Sequence, residues 1–384
     1  MRIAFYAPMK SPRDSHPSGD RTVARGLVEA LRLAGHDVVI PFDFRSYDRG
    51  DPVRQARIER IGRRIGDRLV RRREGPPIDI WFTYHLYHKA PDWLGPRLAT
   101  DLGIPYVVAE ASVADKRKGG VWRRGYEASL AALARADLVV GLNPADRACV
   151  APRMRPETRY LDLAPFLDTR PYAAAAANRT TARARLAARH DLADDRPWLM
   201  TVAMMREDQK LASYRLLAKA LHSLGDTAVQ LIVVGAGPAE EKVRQTFAGF
   251  GSRVAFHGAA DPAEMPALYA AADLYVWPAI KESWSMAFLE AQAAGVPVVA
   301  GRSGGVPSVV EDGVTGVIAP EGDAPAFADG VRRLLDPAVR ERMGRAARQR
   351  MLARHDLAVA SKALAGALGD TLARSRSVPQ REMM

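Results

Sequence analysis

Residues 270–320 read AAADLYVWPAIKESWSMAFLEAQAAGVPVVAGRSGGVPSVVEDGVTGVIAP. Asp273 to Trp277 is a short apolar run closed by Pro278, the pattern of a buried strand. Lys281 to Ser285 is a polar turn. Met286, Phe288, Leu289 and Ala293 then recur at helical spacing up to Gly295, which marks a helix end. Val296 to Ala300 begins another strand, Gly301 to Gly305 is a glycine-rich loop, and a short helix and a strand follow. Glu282 stands where the first strand opens into its loop, the end at which open α/β sheets hold ligands. Glu290 lies about two turns into the next helix, by the ~3.6-residue helical repeat. That helix's start offers free N–H groups and a positive dipole end to an anion such as a phosphate. A carboxylate slightly further along can accept the two hydroxyl hydrogen bonds of a ribose. Phosphate and sugar side by side make a nucleotide site.

The E-x7-E spacing of Glu282 and Glu290, AGVPVVA at 294–300, GGVPSVVEDGVTG at 304–316 and VIAP at 317–320 together resemble the donor site of a retaining glycosyltransferase of family 4. The resemblance implies an α/β chain with the GT-B fold, two Rossmann-like parallel-sheet domains facing a central cleft. It implies a nucleotide-diphosphate sugar as donor substrate, no further cofactor, no metal, and a hydroxyl acceptor on a glycan or a lipid-linked sugar, with retention at the anomeric carbon. By resemblance, Glu290 holds the donor ribose, Glu282 lies beside the transferred sugar, and the amides of Ser283, Trp284, Ser285 and Met286 face sugar and diphosphate. Ser285 departs from the glycine usual at the end of this turn, which bears on how closely the backbone meets the donor. A glycosidase reading of the two glutamates has no positive support. Eight helical steps rise about 12 Å, and hydrolytic carboxylate pairs stand about 5–9.5 Å apart.

The chain has 384 residues, and two domains are the natural division at this length. A single cysteine, Cys149, excludes an internal disulfide and fits a reducing compartment. MRIAFYAPM is too short for a signal-peptide core and reads as a first strand. No apolar run is long enough to span a bilayer, so a cytoplasmic protein is expected, with the inner face of the membrane within its reach. The net charge of +12 fits an anionic bilayer, anionic substrates or nucleic acid. It also fits the arginine- and alanine-rich usage of a GC-rich genome. Nucleic acid is not an expected partner.

Along the chain, Ile3 to Ala7, a helix ending at Gly35 and Val38 to Ile40 form a βαβ opening. The resemblance nominates Gly19, Asp20 and Arg21 in its first loop; a solvent-facing turn is the alternative for the two charged residues. Val53 to Arg73 is a basic helix in which Ile58, Ile61, Ile65 and Leu69 make an apolar stripe interrupted by Gly62 and Gly66. It reads either as a membrane-surface helix or as one that packs its stripe and solvates its arginines. Asp79 to Tyr84 is a strand ending near His85 and His88, where the family carries an acceptor-side histidine. Their spacing lacks a third metal ligand. After the strand 106–109 the family has a histidine where Ala111 and Ser112 stand here, so Glu110 or Ser112 is expected to substitute.

The expected division is 1–172 as the acceptor domain, 173–196 as a helical connection, 197–355 as the donor domain, and 356–384 as a helix returning to the first domain with a frayed tail. In the loop after the strand 198–203, Lys210 matches the family's diphosphate-binding lysine. Met204 takes the place of the usual arginine, and Arg206 is expected to supply the guanidinium. GAGP at 235–238 lacks the third glycine of a dinucleotide fingerprint; by resemblance Gly237 and Gly258 lie in donor-side turns. The competing readings are a non-catalytic relative on a membrane or acidic polymer, and an epimerase or phosphorylase of the same fold.

Overall fold

The structure, a computed structural model, describes residues 1–16, 18–72 and 76–377. Pro17 of the first loop, Arg73 of the basic helix and residues 378–384 of the expected tail lie outside the described residues. The chain forms two compact units, Met1–Pro165 with the last helix Leu357–Ser377, and Phe166–Asp356.

In the first unit β1 (Arg2–Tyr6), β2 (Asp37–Val39), β3 (Ile80–Leu86), β4 (Tyr106–Ala111), β5 (Leu138–Gly141) and β6 (Arg159–Asp162) form a parallel sheet in the order β2-β1-β3-β4-β5-β6. In the second, β7 (Trp198–Val202), β8 (Gln230–Val234), β9 (Val254–Gly258), β10 (Leu274–Trp277), β11 (Val298–Gly301) and β12 (Gly316–Ala319) run parallel in the order β12-β11-β10-β7-β8-β9. Helices cover both faces of each sheet, so the central strands are buried on both sides and read as continuous apolar runs. The chain order reverses between β1 and β3, and between β7 and β10. Crevices at the carboxyl ends of such strand pairs are where these sheets bind ligands.

Three features differ from the expected organisation. The edge strand β6, RYLD, has no apolar run to announce it, and each of its residues keeps some exposure. The units divide at Pro165/Phe166 and Asp356/Leu357, so residues 166–172 belong to the second unit. Residues 173–196 are no separate connection. Helices Arg170–Ala177 and Arg179–His190 pack on helix Met265–Ala271, and Arg179 and Arg183 reach Asp273 at 2.7 and 3.0 Å. At the crossing points Leu167 bridges Asp356, whose carboxylate accepts from Thr169 Oγ1 at 2.6 Å.

The basic helix spans Pro52–Arg72. Ile58, Ile65 and Leu69 turn inward, whereas Ile61 is 38% exposed and leaves the expected stripe. Gly62 has a packing reason: a Cβ there would meet Trp93 Cβ at 2.8 Å.

His257 on β9 lies with its Nδ1 3.0 Å from His190 Nε2, and its Nε2 is 3.5 Å from Glu264. Burial lowers both imidazole pKa values, and Arg189 adds to this while Glu264 opposes it. One ring must donate and the other accept, so protonating both sets N–H against N–H. Because the folded values are depressed, the unfolded chain takes up more protons as pH falls through the ordinary imidazole value of about 6.5. Stability contributed by the pair is therefore present above that pH and lost below it. The thermal midpoint is expected to drop between pH 7.5 and 5.5, and His257→Gln should flatten that dependence. An equally steep profile in the variant would assign the loss elsewhere.

Candidate active site

The second unit's site is built at the β7/β10 reversal. Helix Gln209–Ser223 starts at Asp208, whose carboxylate accepts from Lys210 N at 2.9 Å as an N-cap. One turn of chain thus fixes where Lys210 leaves the backbone. Its Nζ pairs with Glu282 Oε2 and sits 5.2 Å from the centre of the Trp277 ring. Trp277 Nε1 also donates to Glu282 Oε2, at 3.4 Å. The Lys210 and Glu282 side chains are only 13% and 18% exposed.

The loop carrying Glu282 holds Ala279 and Lys281 in the left-handed region, at φ 55° and 50°. Such residues persist where surrounding contacts over-determine them. Here Ile280 N donates to Ser213 Oγ at 3.0 Å, Lys281 N to Glu321 Oε1 at 2.7 Å, and Glu282 N to Ser303 Oγ at 3.1 Å. Gly304, at φ +45°, closes beneath: a Cβ there would meet Glu282 O at 2.2 Å. Trp284 is buried and anchors the loop, while Ser283 is exposed. The amides of Ser283, Trp284, Ser285 and Met286 meet no protein acceptor among the described residues. They precede or open helix Met286–Ala293, where N–H groups lack helical partners and the dipole is positive.

Glu290 projects from the same helix. Its Oε2 accepts from Tyr269 OH at 2.8 Å, and Tyr172 also hydrogen-bonds it. Burial raises the Glu290 carboxyl pKa, against the lowering effect of both phenols. The sequence reading missed these tyrosines. Tyr172, the aromatic residue heading the alanine run, was the available signal.

Arg206 does not stand free: its Nε lies 3.1 Å from Asp208 Oδ2. Gly237 serves the loop from behind. At φ +153°, its Cβ would meet Met205 O at 2.4 Å, so glycine lets the turn pack under residues 203–206. Gly258 O accepts from Gly235 N at 2.8 Å, joining the turns after β8 and β9.

In the first unit the β1/β3 reversal gathers His85, Asp20 and Glu110. Ser18 caps helix Gly19–Leu33, and no described atom lies within 4 Å of a Cβ at Gly19. Asp20 Oδ1 is 3.1 Å from His85 Nδ1. His85 and Glu110, at the ends of β3 and β4, both have left-handed backbones, with φ 63° and 54°. Burial lowers the His85 pKa, but Asp20 and the charge of Glu110 outweigh it and leave it above the ordinary imidazole value. Burial raises Glu110, against the charge of His85 and a hydrogen bond to Tyr84. Burial also raises Asp146, which is bonded to Asn143 and Ser112 and feels His85. Asp146 and Asn143 were not singled out in the sequence; the Asn-Pro pair closing β5 was the signal.

Two nominated residues turn out to be structural. Arg21 is buried and donates Nη1 to the carbonyls of Asp14 and Ser15 at 3.1 and 2.7 Å, pinning the first loop. His88 turns to the Trp122 ring, 5.2 Å away. Burial and the cations Arg117, Lys89 and Lys116 push its pKa down to about 4.

Residues 196–337 match the family model "Glycosyl transferases group 1". The chain is 33% identical over 187 residues to the alpha-D-kanosaminyltransferase of Streptomyces kanamyceticus, covering 48% of each. It is 34% identical over 225 residues to a GDP-mannose-dependent alpha-(1-6)-phosphatidylinositol monomannoside mannosyltransferase of Mycolicibacterium smegmatis, covering 56% of this chain and 57% of that one. The matches thus span about half the length of these relatives. The crystal structure of Anabaena HepE in complex with UDP superposes with a TM-score of 0.72 at 17% identity, over 96% of this chain and 100% of that one. The fold is that of the GT-B glycosyltransferases.

A half-buried ion pair leaves a strong signature in stability. Removing one partner strands the other charge, whereas removing both does not. Lys210→Met alone is expected to destabilise more than Lys210→Met with Glu282→Gln, with a coupling of about 0.5–3 kcal/mol. Strictly additive denaturation midpoints would show the pair to be energetically idle.

Proposed function

We propose that this chain is a glycosyltransferase that moves a sugar from a nucleotide-diphosphate donor to a hydroxyl of a glycan or glycolipid acceptor, retaining the anomeric configuration and using no metal. The observation that carries this reading is the ammonium of Lys210, held against Glu282 beside the unpartnered amides of Ser283 to Met286. An anion entering there has hydrogen-bond donors and a cation already in place. A diphosphate takes Lys210 from Glu282 and fills the helix mouth, and Glu282 is left to face the hydroxyls of the sugar. The phenols of Tyr269 and Tyr172 orient Glu290 for the ribose.

Cleaving the sugar–phosphate bond leaves additional charge on the departing diphosphate. Groups fixed before the reaction stabilise that charge without reorganising, and each such donor is worth about 10²–10³ in rate. Arg206, turned toward Asp208, supplies a guanidinium once the diphosphate competes for it. In the first unit His85 and Glu110 bind hydroxyls of the acceptor, with Asp20 and Asp146 setting their charge. The GDP-mannose and UDP named for the relatives leave the base open between guanine and uracil, and adenine completes the set to test.

UDP-, GDP- and ADP-sugars should be offered in turn. The matching one, at about 100 times its Kd, stabilises the fold by about 2.7 kcal/mol. Turnover should survive a chelator. Lys210→Ala should lower kcat by about 10²–10³. Tyr269→Phe should raise the donor KM severalfold with kcat nearly unchanged, the loss of about 1 kcal/mol for a single hydrogen bond. No stabilisation by any nucleotide sugar, with near-normal turnover in Lys210→Ala and Glu290→Ala, would sink the assignment. Products of epimerisation or phosphorolysis would replace transfer by another reaction of the same fold.

A further inference from the structure

Many arginines among the described residues are matched by a carboxylate. One face of the helix Pro52–Arg72 is not. Arg57, Arg60, Arg64, Arg68 and Arg71 are exposed, and their three- and four-residue spacing puts them on one side. Among the described residues none of them forms an ion pair. The neighbouring carboxylates are already engaged: Glu59 with Arg63 and Arg124, and Asp67 with Arg97. The opposite side of the helix is packed, so this face is held rigidly outward.

A second basic segment rests on the start of the same helix. Gln55 Nε2 donates to the Val121 carbonyl at 3.0 Å, and Trp122 is fixed between the His88 ring and the Lys89 ammonium, 5.4 Å above it. This seats the loop 116–124, KRKGGVWRR, on the first turn of the helix. Lys116 and Lys118 are exposed and form no ion pair among the described residues. Val121, 49% exposed, and Val53, 80% exposed, therefore emerge at the same end. Aliphatic side chains directed to solvent at the end of a cationic face, on a structured surface, are ill suited to water. They suit an interface where headgroups are anionic and acyl chains lie just beneath.

We propose that the arginine face of Pro52–Arg72 and the loop 116–124 together form a docking surface for an anionic lipid bilayer, with Val53 and Val121 entering its outer edge. Nucleic acid also attracts cations, but it offers nothing to the two valines. The proposal deepens the reading above only in making the acceptor membrane-resident. No helix among the described residues is long and apolar enough to cross a membrane.

The full chain is mixed, without nucleotide, with vesicles of phosphatidylcholine alone or of two parts phosphatidylcholine to one part phosphatidylglycerol, and separated by flotation. Binding is expected on the anionic vesicles only, falling as salt rises. The R57Q/R64Q/R68Q variant, whose altered side chains form no ion pair among the described residues, should bind about tenfold more weakly or worse. V121D should weaken binding at a salt concentration where the wild type still floats. Turnover on a water-soluble acceptor should not change in either variant. Equal binding to both vesicle types, undiminished binding of the arginine variant, or arginine-dependent binding to duplex RNA with none to vesicles would overturn the proposal. Because no donor is present, a failed transferase assay leaves this result standing, and a failed flotation leaves the transferase reading standing.

Discussion

The contact between Lys210 and Glu282 is the constraint around which the second unit is arranged. Taking an ammonium and a carboxylate largely out of water costs several kcal/mol per ion, and their mutual attraction often no more than offsets it. Such a pair is therefore a poor device for holding a fold together. The structure nevertheless converges on it from separate stretches of chain. Asp208 caps the helix that carries Lys210, Trp277 covers the ammonium, and Ser303, Gly304 and Glu321 shape the loop that carries Glu282. The left-handed residues Ala279 and Lys281 are a further cost at the same place. Local strain and half-buried charge, gathered where a parallel sheet reverses its order, are better understood as preorganisation for a ligand than as stability. Glu282 keeps the ammonium paired in a poorly solvated place; on the proposed function, an arriving anion exchanges one partner for another instead of recruiting a lysine from solvent.

The two units treat charge differently at corresponding ends of their sheets. In the second, the strand ends lead to Lys210, to Arg206 and to amides without partners among the described residues, the groups to which the proposed function assigns a diphosphate. In the first, Asp20, Glu110 and Asp146 surround His85. Burial raises the Glu110 and Asp146 pKa values, while at Asp20 His85 outweighs burial and lowers the pKa, so the cluster is linked through hydrogen bonds and charge. Carboxyl groups, a histidine and an asparagine suit hydroxyl groups. On the proposed function, the same Rossmann-like scaffold serves an anion in one unit and hydroxyl groups in the other, through residues at the ends of strands and the starts of helices.

Much of this was legible in the sequence because it depends on local pattern. Strands buried on both faces have to be apolar throughout, and β1, β3, β4, β7, β8 and β10 announce themselves that way. The helix start at Ser285, the stop at Gly295 and the pairing of a glutamate with each are equally local. What escaped was set by contacts between distant segments. Strand β6 is held at a sheet edge and needs no apolar run. Tyr172 and Tyr269 meet Glu290 only because two helices cross there. Arg21 looks like any solvent-facing arginine until the first loop folds over it and takes its guanidinium on carbonyls. His88 lies three residues from His85, yet Gly125, where a Cβ would strike the His88 carbonyl at 2.0 Å, draws its backbone against another helix.

The arginine content shows why composition alone could not decide. A coding bias toward arginine accounts for how many there are but says nothing about where their partners fall. In the second unit Arg179 and Arg183 share Asp273 and cap the carbonyls that end helix Met265–Ala271. Each guanidinium there satisfies groups that would otherwise be orphaned. On the outer face of Pro52–Arg72, Arg57, Arg60, Arg64, Arg68 and Arg71 pair with no carboxylate among the described residues, although Arg54 and Arg63 of the same helix do. Glycines at 62 and 66 let the helix press close to Trp93 and Leu94, so its inner face is tightly fitted while its outer face is left uncompensated. A coding bias does not by itself place five such residues on one side of one helix. A one-sided row beside two outward valines is an arrangement, and an arrangement of like charges on a rigid surface gains free energy only when something anionic covers it.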